Sequence, residues 1–166
     1  MSVLYWTLAL VAAQRLGELA WANRNSARLR RLGAVEADAA GYPLFVLLHA
    51  GWLASLALFV PAATWPNWPL LGLFALLQLG RAWVILSLGH YWTTRVLTLP
   101  GIPLVRTGPF RWLRHPNYLL VVAEIAVLPL AFDAIAVALI FSALNLLLLA
   151  RRIDIEDRAL APRRGL

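Results

Sequence analysis

The chain has 166 residues, a net charge of +7 at neutral pH and no cysteine, and 61% of its residues are hydrophobic whereas only 14% are charged. A single domain of this length cannot bury so much apolar side chain in one core. The composition therefore excludes an ordinary soluble protein and requires a bilayer to solvate much of the surface. The lack of cysteine excludes disulfides, thiolate metal sites and cysteine nucleophiles.

Apolar runs of helical length alternate with polar segments, which predicts an all-α, polytopic membrane bundle in one domain. The last apolar run is too long for one span and too short for two relaxed ones. Pro129 and Asp133 interrupt it, so we expect a tight helical hairpin there. The five predicted helices cover residues 2–21, 42–60, 70–88, 118–132 and 133–150.

The connecting segments alternate in charge. Most of the arginines lie in 22–41, 89–117 and 151–166, whereas 61–69 and the hairpin turn contain none. Because basic segments stay in the cytoplasm, we expect the N-terminus outside and these three segments inside. All fifteen basic residues are arginines, and their placement between apolar runs indicates membrane topology and not nucleic-acid binding.

A layer of polar side chains is predicted inside the bundle at a single depth. Each helix contributes one residue that lies roughly 8–10 Å below the cytoplasmic boundary, at 1.5 Å per residue. These residues are Arg15, His49, Arg81, Glu124 and Asn145. Since polar groups are costly in a membrane, the layer is either an ion-paired network that fixes helix order or a reaction chamber in the inner leaflet. Glu18 lies nearer the surface than Arg15.

The segment before the hairpin carries the most unusual motif, with Gly108-Pro109 before Phe110 and His115-Pro116 at the start of the fourth helix. Proline suits the first turn of a helix, which leaves His115 just outside it, beside free backbone N–H groups that attract anions. The alternative for His115 is a capping or interface histidine.

The tail contains Arg152 and Glu156, one helical turn apart, with Asp157 adjacent. An isolated pair of this kind is usually a solvated, charge-paired helix end. In combination with the preceding segment, however, the pair belongs to a larger pattern. The pattern consists of Gly108-Pro109-Phe110, Arg114-His115-Pro116-Asn117-Tyr118 and Arg152-x-x-x-Glu156-Asp157-x-x-Leu160.

This pattern resembles the isoprenylcysteine carboxyl methyltransferase family over roughly residues 89–160, and phospholipid N-methyltransferases share parts of it. The N-terminal part looks like the small bacterial branch, on the basis of Gln14-Arg15, Asn25 and Gly33-Ala34-x-Glu36. Some members of that branch are linked to type III polyketide synthases and are thought to methylate alkylpyrones or alkylresorcinols.

The resemblance implies an integral protein of the bacterial inner membrane. Residues 89–166 would form an S-adenosylmethionine site, and 1–88 would be a three-helix scaffold on the substrate side. The implied cofactor contacts are Arg95, Leu104, Val105, Phe110, His115, Pro116, Asn117, Tyr118, Arg152 and Glu156, with a looser alignment at Arg95. Two positions depart from the family pattern: Phe110 stands where tyrosine is common, and Asp157 replaces the second glutamate of the usual dyad.

The expected reaction is methyl transfer to a lipophilic small molecule that enters from the membrane lipid, by an in-line displacement that depends on alignment. A carboxylate or acidic enol is already ionised, so Arg81 or Arg15 would orient it, whereas a phenol would need Glu124 or His49 as a base. No metal is expected, because three scattered histidines do not form a spaced ligand set.

Two alternative functions are considered beside the methyltransferase. One is a membrane NADPH-dependent reductase of the sterol reductase type, whose C-terminal architecture is similar. The other is a non-catalytic small membrane protein, in which the polar motifs serve stability alone.

Overall fold

Five helices form the bundle in a computed structural model that describes residues 2–165. They are α1 (Val3–Arg31), α2 (Tyr42–Phe59), α3 (Trp68–Leu88), α4 (Pro116–Leu130) and α5 (Ile135–Leu160). The helices α2, α3 and α5 are each long and apolar enough to cross a membrane, and α4 is a shorter apolar helix. Large apolar side chains face outward, such as Leu58 and Leu147, which are 77% and 71% exposed. This surface suits lipid and not water, and the predicted all-α membrane bundle is confirmed.

The first helix is about ten residues longer than predicted, because the sequence predicted a loop from residue 22 and α1 ends at Arg31. Its extension keeps a buried face at helical spacing, formed by Ala22, Asn25, Ser26 and Leu29. Gly33, at a φ of 91°, then ends the helix. Its N–H donates to the Arg30 carbonyl, and the Ala34 N–H donates to the Leu29 carbonyl, which is a Schellman motif.

The predicted hairpin is present as α4 and α5. Asp133 adopts a φ of 56° in the turn, and the Ala134 N–H donates to the Pro129 carbonyl at 2.9 Å. The predicted end of the fifth helix at residue 150 is wrong, because α5 continues to Leu160. Its charged last part consists largely of good helix formers and also packs inward through Arg152, which is buried.

The apolar core lies at the end of the bundle that contains the start of α1 and the α4–α5 turn. Leu4 and Leu8 of α1 pack there with Leu56, Leu128 and Phe132. Trp52 of α2 is also buried, and its indole N–H donates to the Ile125 carbonyl at 3.2 Å. With this end filled, the open space of the molecule lies at the opposite end.

A small antiparallel sheet joins the two polar segments at that opposite end. Its strands are β1 (Val35–Glu36) and β2 (Leu97–Thr98), with Val35 opposite Thr98. The sheet ties the chain that follows α1 to the long segment between α3 and α4. It thereby fixes one wall of the cavity described next.

Candidate active site

A cavity of about 660 Å³ lies between the segment 89–117 and the helix ends opposite the apolar core. The predicted orientation would put these helix ends on the cytoplasmic side. All ten predicted cofactor contacts line the cavity, which brings together residues from the α3–α4 segment and from both helices of the hairpin. They are Arg95, Leu104, Val105, Phe110, His115, Pro116, Asn117, Tyr118, Arg152 and Glu156. Arg15, His49 and Arg81 of the predicted polar layer line the same cavity, whereas Glu124 lies behind it.

The histidine at the start of α4 contacts two carboxylates of α5. His115 is the N-cap residue, but its side chain makes no capping hydrogen bond. Its Nδ1 lies 3.6 Å from Glu156 Oε1, and its Nε2 lies 3.1 Å from Asp157 Oδ1. The contact with Glu156, and then that with Asp157, raises the pKa of His115 although partial burial opposes the shift. The simple capping role is therefore excluded, since the ring binds across to α5.

Tyr118 links the two charged residues that lie one turn apart on α5. Its hydroxyl donates to Glu156 Oε2, and it accepts a hydrogen bond from Arg152 Nε at 3.0 Å. The Arg152 guanidinium also donates to the Thr94 carbonyl at 2.8 Å and lies 4.8 Å from the centre of the Phe45 ring. Arg152 and Glu156 are thus not a solvated surface pair, because a tyrosine from another helix connects them.

Arg95 lines the cavity but is already bound to other groups. Its guanidinium lies 2.7 Å from Glu36 Oε1 and 4.0 Å from the centre of the Tyr42 ring. Burial alone would raise the pKa of Glu36, but hydrogen bonds from Arg95 and Arg30 hold it below its usual range. Arg95 therefore joins α2 to the sheet, whatever else it contacts.

Gly108 allows the segment before α4 to pack closely on α3. Its φ is 57°, and a Cβ at this position would clash with Ser87 Oγ. A side chain here would thus be both strained and obstructed. The close packing brings Phe110 to the cavity wall, as the resemblance implied.

Two further positioning residues were not predicted as site residues. Arg163 donates to the Ile102 carbonyl at 2.6 Å and to the Pro103 carbonyl at 3.3 Å, which places Leu104 and Val105 against the cavity. Asn25 donates to the carbonyls of Gly89 and Trp92, at 3.1 and 2.8 Å, and holds the turn after α3. Asn25 was part of the family-like pattern, but no sequence signal distinguished Arg163 from the other arginines of the tail.

Much of the predicted polar layer converges in one ion-paired network. Arg15 lies 2.6 Å from Glu124, and Arg81 lies 2.7 Å from Glu18 and 3.4 Å from Glu124. Arg15 also lies 3.1 Å from Glu18, so each arginine contacts both carboxylates. Asn117 accepts a hydrogen bond from Arg81 at 3.5 Å. It thereby connects this network to the motif His115–Tyr118, whose residues are implied to contact the cofactor.

The other two members of the layer stay outside the network. His49 lines the cavity, and its Nδ1 is 2.8 Å from the Phe45 carbonyl of its own helix. Asn145 is fully buried, and its side-chain oxygen and nitrogen have no hydrogen-bond partner in the described part of the chain. Three residues of the predicted layer thus join Glu18 in one ion-paired network, and His49 and Asn145 take no part in it.

Comparison with known proteins agrees with these motifs. The profile of the isoprenylcysteine carboxyl methyltransferase (ICMT) family matches residues 70–162. The chain belongs to this family. An uncharacterized protein of Bacillus subtilis (strain 168), YpbQ, is 36% identical, with 95% of this chain and 96% of that protein covered. An uncharacterized protein of Haemophilus influenzae is 28% identical, with 93% of each chain covered. No solved structure matches.

Membership in the ICMT family gives these motifs a chemical context, since its enzymes are membrane methyltransferases that use S-adenosylmethionine. The family match begins inside α3 and includes the cavity walls formed by the segment 89–117 and the hairpin. The first two helices lie outside the match, yet they supply Arg15, Glu18 and His49 to the same cavity.

Proposed function

We propose that the protein is an integral membrane methyltransferase that uses S-adenosylmethionine to methylate a lipophilic acceptor at a carboxylate, enol or phenol oxygen. The observation that carries this proposal is the continuity of the cavity. His115 and Glu156 line its polar end, and Arg15 and Arg81 line it about two helical turns deeper. One chamber therefore serves a charged cofactor at the water-facing end and an apolar acceptor at membrane depth.

The residues at the polar end suit the parts of the cofactor. The Glu156 carboxylate accepts hydrogen bonds from a ribose diol, and the N-terminus of α4 with Arg152 attracts a carboxylate. The Phe110 and Tyr118 rings provide faces for a sulfonium. When bound, S-adenosylmethionine supplies an electrophilic methyl group, and the chain's task is to align the acceptor with it and exclude water.

Apolar side chains of α1 and α2 suit an acceptor that arrives through the lipid. Leu19, Phe45 and Val46 line the cavity, and Val46 is 44% exposed. We therefore expect the acceptor to enter beside α2. The positive-inside rule supports an orientation with the cofactor end in the cytoplasm of a bacterial cell, and we then expect the acceptor to come from the inner leaflet.

Thermal unfolding with two candidate ligands tests this function. We expect S-adenosylhomocysteine to raise the unfolding temperature of the purified protein and NADPH to leave it unchanged, because only a bound ligand stabilises the folded state. Stabilisation by NADPH instead would indicate a reductase, and stabilisation by neither ligand would indicate a non-catalytic protein.

A matched pair of α5 variants locates the binding site. Glu156→Gln should weaken binding of S-adenosylhomocysteine roughly tenfold or more, since a charge-assisted hydrogen bond is lost. Asp154→Asn should leave it unchanged, because Asp154 is exposed on the same helix and pairs only with Arg158 among the described residues. Equal affinities of the two variants for S-adenosylhomocysteine would show that Glu156 does not contact the ligand.

A further inference from the structure

The four residues Arg111–Arg114, just before α4, are all exposed and combine two arginines with two large apolar side chains. Trp112 and Leu113, between the arginines, are 70% and 45% exposed. A tryptophan flanked by cations suits the membrane–water interface, where the ring contacts lipid and the cations reach the headgroups. We call these four residues the interfacial segment.

The interfacial segment packs against a helix that is long and apolar enough to cross a membrane. The centre of the Trp112 ring lies 6.3 Å from that of Trp83 on α3. Trp83 belongs to an outward-facing stripe of α3, at helical spacing, whose members are each at least half exposed. They are Leu76, Leu79, Trp83 and Leu86. Trp112 therefore extends the lipid-facing surface of α3 toward the polar end of the bundle.

The two arginines of the interfacial segment have no counter-ion in the described part of the chain. The segment 89–117 contains no aspartate or glutamate. Arg95 of this segment pairs with Glu36, whereas Arg111 and Arg114 form no ion pair and no side-chain hydrogen bond within residues 2–165. The Arg111 guanidinium lies 5.6 Å from the centre of the Trp112 ring. The N–H donors of both arginines are thus available to an anion from outside the chain.

A phospholipid phosphate fits this combination of groups. Guanidinium groups bind phosphate oxygens through paired N–H donors, and the neighbouring lipid-facing stripe of α3 suits acyl chains. A zwitterionic headgroup would also bring a positive group close to two arginines. An anionic headgroup such as that of phosphatidylglycerol carries no such group, so the electrostatic attraction is not offset.

We propose that the interfacial segment binds one anionic phospholipid, whose phosphate contacts Arg111 and Arg114 and whose acyl chains lie against Trp112 and the outward face of α3. Arg111, Leu113 and Arg114 also line the cavity, so the lipid binds at the edge of the candidate active site. The lipid joins the segment between α3 and α4 to the bilayer. It is a resident lipid and not the acceptor, and its binding requires neither cofactor nor methyl transfer.

Two lipids that differ only in the headgroup test the charge requirement. The detergent-solubilised protein is titrated with dioleoylphosphatidylglycerol or dioleoylphosphatidylcholine, and bound lipid is counted by native mass spectrometry. We expect one phosphatidylglycerol to bind roughly tenfold or more tightly than phosphatidylcholine, as for two arginines at an anionic surface. Glycerol 3-phosphate, which has the phosphate without acyl chains, should not displace it. Equal affinities for the two lipids, or displacement by glycerol 3-phosphate, overturns the inference.

A matched pair of double variants tests the role of the two arginines. Arg111→Gln with Arg114→Gln should lose the preference for phosphatidylglycerol, whereas Lys at both positions should keep most of it because the charge remains. Arg28→Gln with Arg31→Gln is the control, since these residues are exposed, have the same spacing and lie outside the cavity. The control should bind as the wild-type protein does. Equal losses in the two glutamine variants would show a response to net charge alone and overturn the inference.

Photocrosslinking locates the bound lipid. A phosphatidylglycerol with a diazirine in one acyl chain is irradiated in complex with the protein, and the modified peptides are identified by mass spectrometry. We expect adducts on α3 in the wild-type protein and in the Arg28/Arg31 control, and few in the Arg111/Arg114 glutamine variant. Adducts confined to other helices, or equally strong on α3 in all three proteins, overturn the inference.

Discussion

At the scale of single residues, the contact of His115 with Glu156 and Asp157 makes a pH-dependent contribution to stability. The folded-state pKa of His115 is raised, so its contribution is fully present below the unfolded-state pKa and is lost as the pH rises through the folded-state pKa. Its size should stay below about 1 kcal/mol, since all three side chains are partly exposed and screened by solvent.

We therefore expect His115→Asn to lower the unfolding temperature by about 1–3 °C at acidic pH and by less near pH 8. The measurement is thermal unfolding of both proteins across this range without ligand. A difference that grows as the pH rises would contradict the ion-pair assignment, because a protonated histidine cannot stabilise more at high pH.

Single residues also differ in how far the sequence predicts their role. Arg15, Arg81 and Glu124 were predictable, because a charge inside an apolar helix stands out and must find a partner. Arg163 was not, because it binds the backbone carbonyls of Ile102 and Pro103. Every residue has a backbone carbonyl, so the sequence does not indicate which carbonyls accept a hydrogen bond from an arginine. Arg163 therefore looks like any other arginine in a basic tail.

At the scale of elements, the end of α1 depends on the backbone conformation of a single glycine. Gly33 and Gly17 both have open space around the position of a Cβ, but Gly33 has a φ of 91° and Gly17 lies within the helix. An alanine side chain should therefore strain the backbone at Gly33 and favour the helix at Gly17.

We expect Gly33→Ala to destabilise the protein by about 1 kcal/mol and Gly17→Ala to stabilise it by up to about 1 kcal/mol. The measurement is the thermal unfolding of both variants in the same detergent. Shifts of the same sign in the two variants would show that the Schellman motif does not end α1 in the folded protein.

The two helix ends that the sequence misplaced share one cause. Hydropathy predicts where a helix leaves the bilayer, near residues 21 and 150, but the backbone hydrogen bonds of α1 and α5 continue to Arg31 and Leu160. The segments beyond the apolar runs contain several alanines and arginines, which are good helix formers, and both segments pack inward, through Asn25 and Arg152. The apolar turn at Pro129 and Asp133, in contrast, was predictable from its helix-breaking residues.

At the scale of the whole molecule, the lack of cysteine allows a direct test of the proposed orientation. Ala39 lies after α1 and Ala63 lies between α2 and α3, and both are exposed. In intact cells, we expect a membrane-impermeant thiol reagent to label Ala63→Cys and not Ala39→Cys, with both labelled once the cells are opened. The opposite labelling pattern in intact cells would show the inverse topology, with the polar end of the cavity outside.

The wall of the cavity formed by Arg152, Glu156 and Arg163 has a consequence for biosynthesis. These residues lie later in the chain than the first four helices, so the ribosome makes them after those helices. A nascent chain that has inserted those helices still lacks the partners of Tyr118 and His115. The cavity therefore closes only when the end of α5 folds back against the α3–α4 segment, and completion of the site reports that the whole bundle has been inserted.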